Sequence, residues 1–129
     1  MAFRSTLNLG GKEFDVLDCN YELKRDVDSK GRPSSNIYGG VIFVEIESTE
    51  DTSILEQMVN QFNPISGSII FKKGNEESKM KELSWENGYI ISFAEGIDIV
   101  GEKPMTIKFS VSAQVIKIGS ASFEQNWPV

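Results

Sequence analysis

The chain has 129 residues, which fits one domain that can bury a single hydrophobic core without disulfides or metal. Its formal net charge of -6 argues against sequence-independent nucleic-acid binding, which depends on Lys and Arg neutralising phosphates. Because the sequence contains no histidine, Ser-His-Asp and Cys-His nucleophile systems and imidazole metal ligands are excluded. We therefore expect a non-enzymatic protein with no catalytic residues, no metal site and no cofactor.

Two further features concern the cellular compartment. The single cysteine, Cys19, cannot form an internal disulfide, and its position in an apolar alternation predicts a buried core thiol. No apolar run approaches the ~18 residues of a membrane helix, which argues against membrane insertion. The amino-terminal sequence MAFRSTLNLGGKEF lacks the apolar segment of a signal peptide. We therefore expect the protein to be made and folded in the cytoplasm, and to leave the cell, if it does, without a cleaved signal.

The first two predicted strands, residues 3–9 and 13–24, show apolar and polar residues in alternation. In the second, the apolar positions change from even to odd numbers, from Phe14 and Val16 to Leu17, Cys19, Tyr21 and Leu23. Because successive side chains of a strand point to opposite faces, this change predicts a β-bulge or bend near Val16–Leu17.

The segment KRDVDSKGRPSSN, residues 24–36, follows as a long, basic, protruding loop. It exceeds the 2–5 residues that a hairpin needs, and such extra charged length is either disordered or used in contacts. Its DVDSKG portion begins like a calcium loop, but Lys30 and Ile37 occupy ligand positions, which makes calcium improbable. The spacing of SKGRPSS does not fit a phosphate-binding P-loop. An unspecific anion site built from Lys30 and Arg32 remains open.

The third predicted strand, residues 40–47, is apolar on both faces, because Val41 and Phe43 alternate with core candidates, namely Ile42, Val44 and Ile46. Two explanations for Val41 and Phe43 stay open: cover by a helix, or burial at a subunit interface.

A helix is predicted within DTSILEQMVNQF, residues 51–62, where apolar residues recur at helical spacing: Ile54, Leu55, Met58, Val59 and Phe62. Ser53 and Glu56 fit a capping box at its start. Pro64 is predicted to end it.

Five more strands are predicted, over residues 66–72, 81–85, 89–95, 105–115 and 122–127. Asn87 and Gly88 are predicted to form a hairpin turn after Glu86, since Asn-Gly is the strongest short hairpin signal. In the longest strand one face is apolar, formed by Met105, Ile107, Phe109, Val111, Ala113 and Val115, although Ile116 and Ile118 fall on its polar side.

These elements predict a mainly β fold over residues 1–129: a small antiparallel β-barrel of two packed sheets, with one short flanking α-helix and the protruding loop. Acidic clusters are read as solvated faces and turns and not as paired catalytic carboxylates. An alternative function is a monomeric small-ligand-binding barrel, with Trp85, Phe93 and Phe109 lining a cavity. Small barrels usually fill their interiors with side chains, which counts against it.

Several segments together resemble the tube protein of bacterial type VI secretion systems, the Hcp or TssD family, in the form found in the Bacteroidota. They are EFDVLDCNYELKRDVDSKGRPSSNIYGG, TSILEQM, GSIIFKK, ENGYI, PMTIKFSVSAQVIKIG and FEQNWP. The resemblance covers essentially the whole chain, and KRDVDSKGRPSSN is its most specific part. It implies hexameric rings that stack into a hollow tube, which a contractile sheath drives together with a VgrG-type spike. It also implies small effector proteins carried in the lumen and export through the type VI system.

In this family the long loop contacts neighbouring subunits, often in the next ring. The resemblance places that role on residues 26–36, with contact residues Asp26, Asp28, Lys30, Arg32 and Pro33. Since rings of subunits that carry a charge of -6 each repel one another, we expect the basic loop to dock on an acidic surface. The candidate acceptors are Glu50 and Asp51, or Glu76 and Glu77. Val41 and Phe43 are the candidate ring interface.

Overall fold

The computed structural model describes residues 3–35, 38–60, 63–73, 79–101 and 104–125. Within these ranges the chain forms seven strands and one helix. They are β1 (Phe3–Leu9), β2 (Lys12–Lys24), β3 (Tyr38–Glu47), α1 (Ser53–Val59), β4 (Ile65–Lys73), β5 (Lys79–Gly96), β6 (Thr106–Ile118) and β7 (Ala121–Glu124).

The strands form one antiparallel sheet in the order β3-β2-β1-β4-β5-β6-β7, and it closes into a barrel because β3 also pairs with β6. β6 uses one edge twice. Its first half pairs with β3, up to Ser112, and its second half pairs with β7, from Val115 onwards. The predicted mainly β barrel is confirmed, and its packed sheets are opposite walls of this one closed sheet.

The antiparallel order decides which connections share an end of the barrel. β2 ends and β3 begins at one end, which we call the arm end, because the long loop leaves the barrel there. β3 and β5 end at the opposite end, where β6 begins. We call it the helix end, since α1 follows β3 there. The long loop and the helix therefore lie at opposite ends of the barrel.

The bulge predicted in β2 is confirmed. Val16 pairs with Ile46 and Asp18 pairs with Glu45, so Leu17 is the extra residue of the bulge. Beyond it, Cys19 and Tyr21 pack against the core as their positions predict. The two other apolar residues at odd-numbered positions do not lie on the buried face as predicted. Leu17 is 52% exposed and Leu23 is 42% exposed.

The hairpin turn predicted at Asn87 and Gly88 is wrong, since β5 runs without a break from Lys79 to Gly96. Asn87 has a φ of 54°, and a bulge at this point in the pairing with β4 accommodates it. Its Nδ2 atom donates a hydrogen bond of 3.0 Å to Oε1 of Gln114 on β6. Asparagine tolerates the left-handed conformation in a bulge as well as in a turn. The long partner strand β6 decides for the bulge, because it pairs with β5 on both sides of Asn87.

The same bulge explains why the apolar face of β6 changes partway along the strand. Ile107, Phe109, Val111 and Ala113 are buried, as predicted. Further on, Ile116 is buried at 3% exposure, whereas Val115 is only half-buried and Met105 is exposed. The buried face of β5 changes in the same way. Trp85 and Gly88 are both buried, although residues three positions apart in a regular strand point to opposite faces. The prediction that Met105 and Val115 share the buried face is therefore wrong.

Trp85 fills the interior of the barrel. Its side chain is 1% exposed, and Phe109 is 2% exposed. The indole Nε1 donates a hydrogen bond of 3.0 Å to the carbonyl oxygen of Ile65. The ring also lies close to Gly67 and Gly88, where an added Cβ would approach it to 2.5 and 2.6 Å respectively. Trp85 and Phe109 are therefore core residues of a filled barrel interior.

The helix is shorter than predicted and packs against β5. Its N-cap residue is Thr52, which makes no side-chain capping bond, so the capping box predicted from Ser53 and Glu56 is wrong. Ile54 is buried in the core, but Leu55 and Val59 are 41% and 69% exposed. The apolar stripe is therefore only partly covered. Of the predicted elements, residues 61–62 and 126–127 lie outside the described residues.

Candidate functional site

Residues 25–35, which we call the arm, form a small hairpin. The N–H of Asp28 donates to the carbonyl of Arg32, and the N–H of Ser34 donates to that of Asp26, both at 2.8 Å. The turn is closed by a bond of 3.0 Å from the N–H of Gly31 to the carbonyl of Asp28. Gly31 has a φ of 84°, as a three-residue hairpin loop requires. The basic loop is thus a preformed element that loses little backbone entropy on docking.

Asp28 organises the tip of the arm. Its Oδ1 accepts the N–H groups of Lys30 and Arg32, both at 2.9 Å. Its Oδ2 accepts Nε of Arg32 at 3.1 Å. The N–H of Arg32, together with that of Lys30 and the guanidinium, holds the pKa of Asp28 below its ordinary value. Asp28 and Arg32 are therefore paired with each other inside the arm, and their role as contact residues stays a prediction.

Lys30 remains available at the tip. Its side chain is exposed, and no residue in the described ranges forms an ion pair with it. Below the tip, Val27 and Pro33 pair across the hairpin, so their side chains lie on the same face of it. Val27 is 62% exposed, and Pro33 is also exposed. The arm thus carries a basic tip and an apolar face. Asn36, the last residue of the predicted loop, lies outside the described residues.

The two candidate acceptors at the helix end differ in their surroundings. Asp51 pairs with Lys12 at 2.7 Å and accepts the N–H of Ser53 at 2.7 Å. The ammonium of Lys12, together with the N–H of Ser53, lowers the pKa of Asp51 to about 2. Asp51 thus ties the turn between β1 and β2 to the start of α1. Glu50 is exposed, and within the described part of the chain it has no ion-pair partner. Glu76 and Glu77 lie outside the described residues.

Val41 and Phe43 point outward from a wall formed by β2, β3, β6 and β5. Phe43 is 50% exposed, so the helix does not cover it, and Val41 is half-buried. In register with Phe43 lie two small polar residues, Asn20 and Ser110. A groove of about 550 Å³ runs beside Phe43 on this wall. Small neighbours around an exposed aromatic side chain allow another surface to approach closely.

The wall also carries a second exposed aliphatic side chain, which the sequence pattern did not predict. Ile91 is the extra residue of a bulge in β5, between the pairs made by Ile90 and Ser92, and it is 51% exposed. Leu17, on β2 at the other edge of the wall, is exposed by its own bulge. The consecutive Ile90 and Ile91 are the only trace of this bulge in the sequence, and a run of two apolar residues does not say which one turns outward.

Cys19 lies partly buried against the core. Burial, with the negative charge of Asp18 beside it, raises the pKa of its thiol to about 11, which makes it a poor nucleophile at neutral pH. Among the described residues, no group of three acidic, cysteine or histidine side chains is placed to hold a metal ion. In the same ranges, no helix has the length and apolar character to span a membrane.

The model of the hemolysin coregulated protein family, Hcp (TssD), matches residues 1–128. The fold is similar to Hcp1 from Flavobacterium johnsoniae, with a TM-score of 0.90 and 35% identity, over 95% of this chain and 99% of that one. It is also similar to Hcp1 from Salmonella typhimurium, with a TM-score of 0.76 and 10% identity, over 95% and 92% of the two chains. A type VI secretion system effector from Yersinia pestis has a TM-score of 0.66 and 12% identity, over 97% and 99%. A search of curated proteins returned no match.

Proposed function

The chain belongs to the Hcp (TssD) family of type VI secretion tube proteins, in the form found in the Bacteroidota, and we propose that it assembles into hexameric rings that stack into a hollow tube. It acts as a structural subunit and not as an enzyme. Family membership supports the contractile sheath and the VgrG-type spike as its partners, and small effector proteins as cargo of the lumen. On this proposal the protein assembles in the cytoplasm and leaves the cell through the type VI system without a cleaved signal.

The observation that carries this proposal is the placement of the arm and the acidic surface at opposite ends of one barrel. The arm holds three basic and two acidic residues. At the helix end, segments 47–60 and 95–101 hold six acidic residues and no basic one, namely Glu47, Glu50, Asp51, Glu56, Glu95 and Asp98. A contact between two different surfaces at opposite ends does not close on itself and therefore builds an open stack. Rings stacked head to tail bring each basic arm tip to an acidic end.

The wall around Phe43 supports the contact within a ring. It lies on the side of the barrel between the two ends, so it remains accessible when rings stack. Aromatic side chains are enriched at the centres of protein interfaces, and Phe43 is half exposed on this wall. We therefore propose that Phe43 and Val41, together with Ile91, contact the neighbouring subunit in the ring.

The oligomeric state tests the proposed assembly. Native mass spectrometry and negative-stain electron microscopy of the purified protein should show hexamers and six-fold rings, which stack at high protein concentration. A protein that stays strictly monomeric at high concentration would contradict the proposal.

Charge reversal tests the role of the arm. Lys30→Glu should leave the rings intact and weaken their stacking, because it places a negative charge against an acidic end. Glu50→Lys should do the same, and the double variant should recover part of the stacking, since it restores an opposite-charge pair. Unchanged stacking of Lys30→Glu would remove the arm tip from the mechanism. Failure of the double variant to recover would remove Glu50 as the acceptor. Single changes at Lys30 are preferable to changes at Arg32, which is bound to Asp28 within the arm.

A further inference from the structure

The connection between β5 and β6 exposes three aliphatic side chains to which sequence reasoning assigns no role. Ile97 is 61% exposed, Ile99 is 81% exposed and Val100 is 94% exposed. Val100 is the most exposed of the large hydrophobic side chains in the described ranges. Single exposed aliphatic residues are ordinary, but three within four positions form a patch that requires an explanation.

The backbone holds Ile99 and Val100 at the corner of a turn. Oδ1 of Asp98 accepts the N–H of Gly101 at 3.0 Å, and this bond closes the turn around the two residues. Glycine, proline, asparagine and aspartate are the residues that suit such corners, whereas β-branched residues suit strands. A pair of β-branched residues at a fully exposed corner therefore contradicts local preference. Such contradictions are expected mainly at functional positions.

The turn lies at the helix end, because it follows the end of β5 and precedes β6. The apolar face of the arm, Val27 and Pro33, lies at the arm end. Rings that stack head to tail bring these two ends together, so an exposed apolar corner on one subunit meets an exposed apolar face on another. Exposed ion pairs contribute little to binding in salt, and an apolar contact of this kind would supply attraction that salt does not screen.

We propose that Ile99 and Val100 of one subunit pack against Val27 and Pro33 of a second copy in the next ring. The acidic residues that flank the corner, Glu95 and Asp98, then lie near the basic arm tip. The same junction is thus apolar at its centre and charged at its margin, as is usual for protein interfaces. This inference rests on the proposed stacking of rings and names the surface that receives the arm.

Disulfide trapping tests the contact directly. Val27→Cys and Val100→Cys are introduced together into a Cys19→Ala background, and each is also introduced alone. Mild oxidation of stacks of more than six rings should give covalent chains larger than a hexamer, with one subunit from each ring, only when both cysteines are present. Stacks that form without such species would overturn the inference and leave the proposed function intact. Cross-links confined to single rings would overturn it too, because they would place the turn against a neighbour in the same ring.

Removal of the apolar corner gives a second test. Ile99→Ser with Val100→Ser should keep the rings and raise the protein concentration needed for stacking by roughly tenfold or more. Val59→Ser is the matched control, because Val59 is 69% exposed at the same end of the barrel but lies on α1. It should leave stacking unchanged. Equal effects of the two changes, or no effect of the double change, would overturn the inference. If the unmodified protein forms no rings at all, the proposed function fails and the inference fails with it.

Discussion

Substitution of Gly88 by alanine tests whether the barrel interior is filled as the structure shows. A Cβ at this position would lie 2.6 Å from two indole atoms of Trp85 and 2.8 Å from Cγ1 of Val111. Real Cβ atoms do not approach other heavy atoms this closely, so the indole or the strand must move. The backbone of Gly88 is not in the left-handed region, and any loss of stability therefore comes from crowding.

The expected loss is that of an overpacked core. Adding a methyl group to a well-packed interior costs about 1–3 kcal/mol of unfolding free energy. The lower unfolded-state entropy of alanine offsets roughly 0.4–1 kcal/mol of this. The upper part of the range applies here, because the indole is also held by its hydrogen bond to Ile65 and crowded on its other side by Gly67. We expect a net loss of about 1–2 kcal/mol.

Urea unfolding followed by far-ultraviolet circular dichroism measures this loss. Gly96→Ala is the matched control, because a Cβ there meets no atom within 4 Å, so only the entropic gain of roughly 0.4–1 kcal/mol is expected. In a Trp85→Leu background, the smaller side chain leaves room, and Gly88→Ala should cost far less than in the unmodified protein. If Gly88→Ala changes the unfolding free energy by the same amount as Gly96→Ala, the indole does not pack closely against Gly88. A cost that persists without the indole would place the crowding elsewhere.

The remaining predictions concern the ring interface and the helix end. Phe43→Ser should leave a folded monomer but weaken ring formation by about 1–2 kcal/mol per subunit contact, since a half-exposed aromatic side chain loses its contact. Met80→Ser, which changes a side chain that is 52% exposed, is the control. Unchanged rings in native mass spectrometry of Phe43→Ser would contradict the assignment. Asp51 has a pKa lowered from 3.8 to about 2, so its ionised form stabilises the fold at pH values above 3.8, and this contribution is lost as the pH falls through about 2. The difference in unfolding free energy between the unmodified protein and Asp51→Asn should therefore shrink towards pH 2, and a constant difference would contradict the pairing with Lys12.

The sequence by itself determined most of the strands, the position of the helix and the bulge near Val16–Leu17, because these depend on alternation and spacing along a short stretch of chain. The small size of the predicted barrel also indicated a filled interior, and Trp85 and Phe109 fill it. The family was recognisable from segments distributed over the whole chain, which no single local pattern carries.

Where a local sequence pattern fits two structures, only the tertiary structure decided between them, through the pairing of partner strands. Asn87 suits a turn and a bulge equally, and the long strand β6 selects the bulge by pairing with β5 on both sides of it. The same pairing decides that Ile116 faces the core. The arm is a hairpin because Asp28 binds groups up to four residues away, and its composition alone was equally consistent with disorder. Which connections share an end of the barrel depends on strand order and closure. Apart from the bonds within the arm, these are contacts between residues distant in sequence, so no local pattern records them.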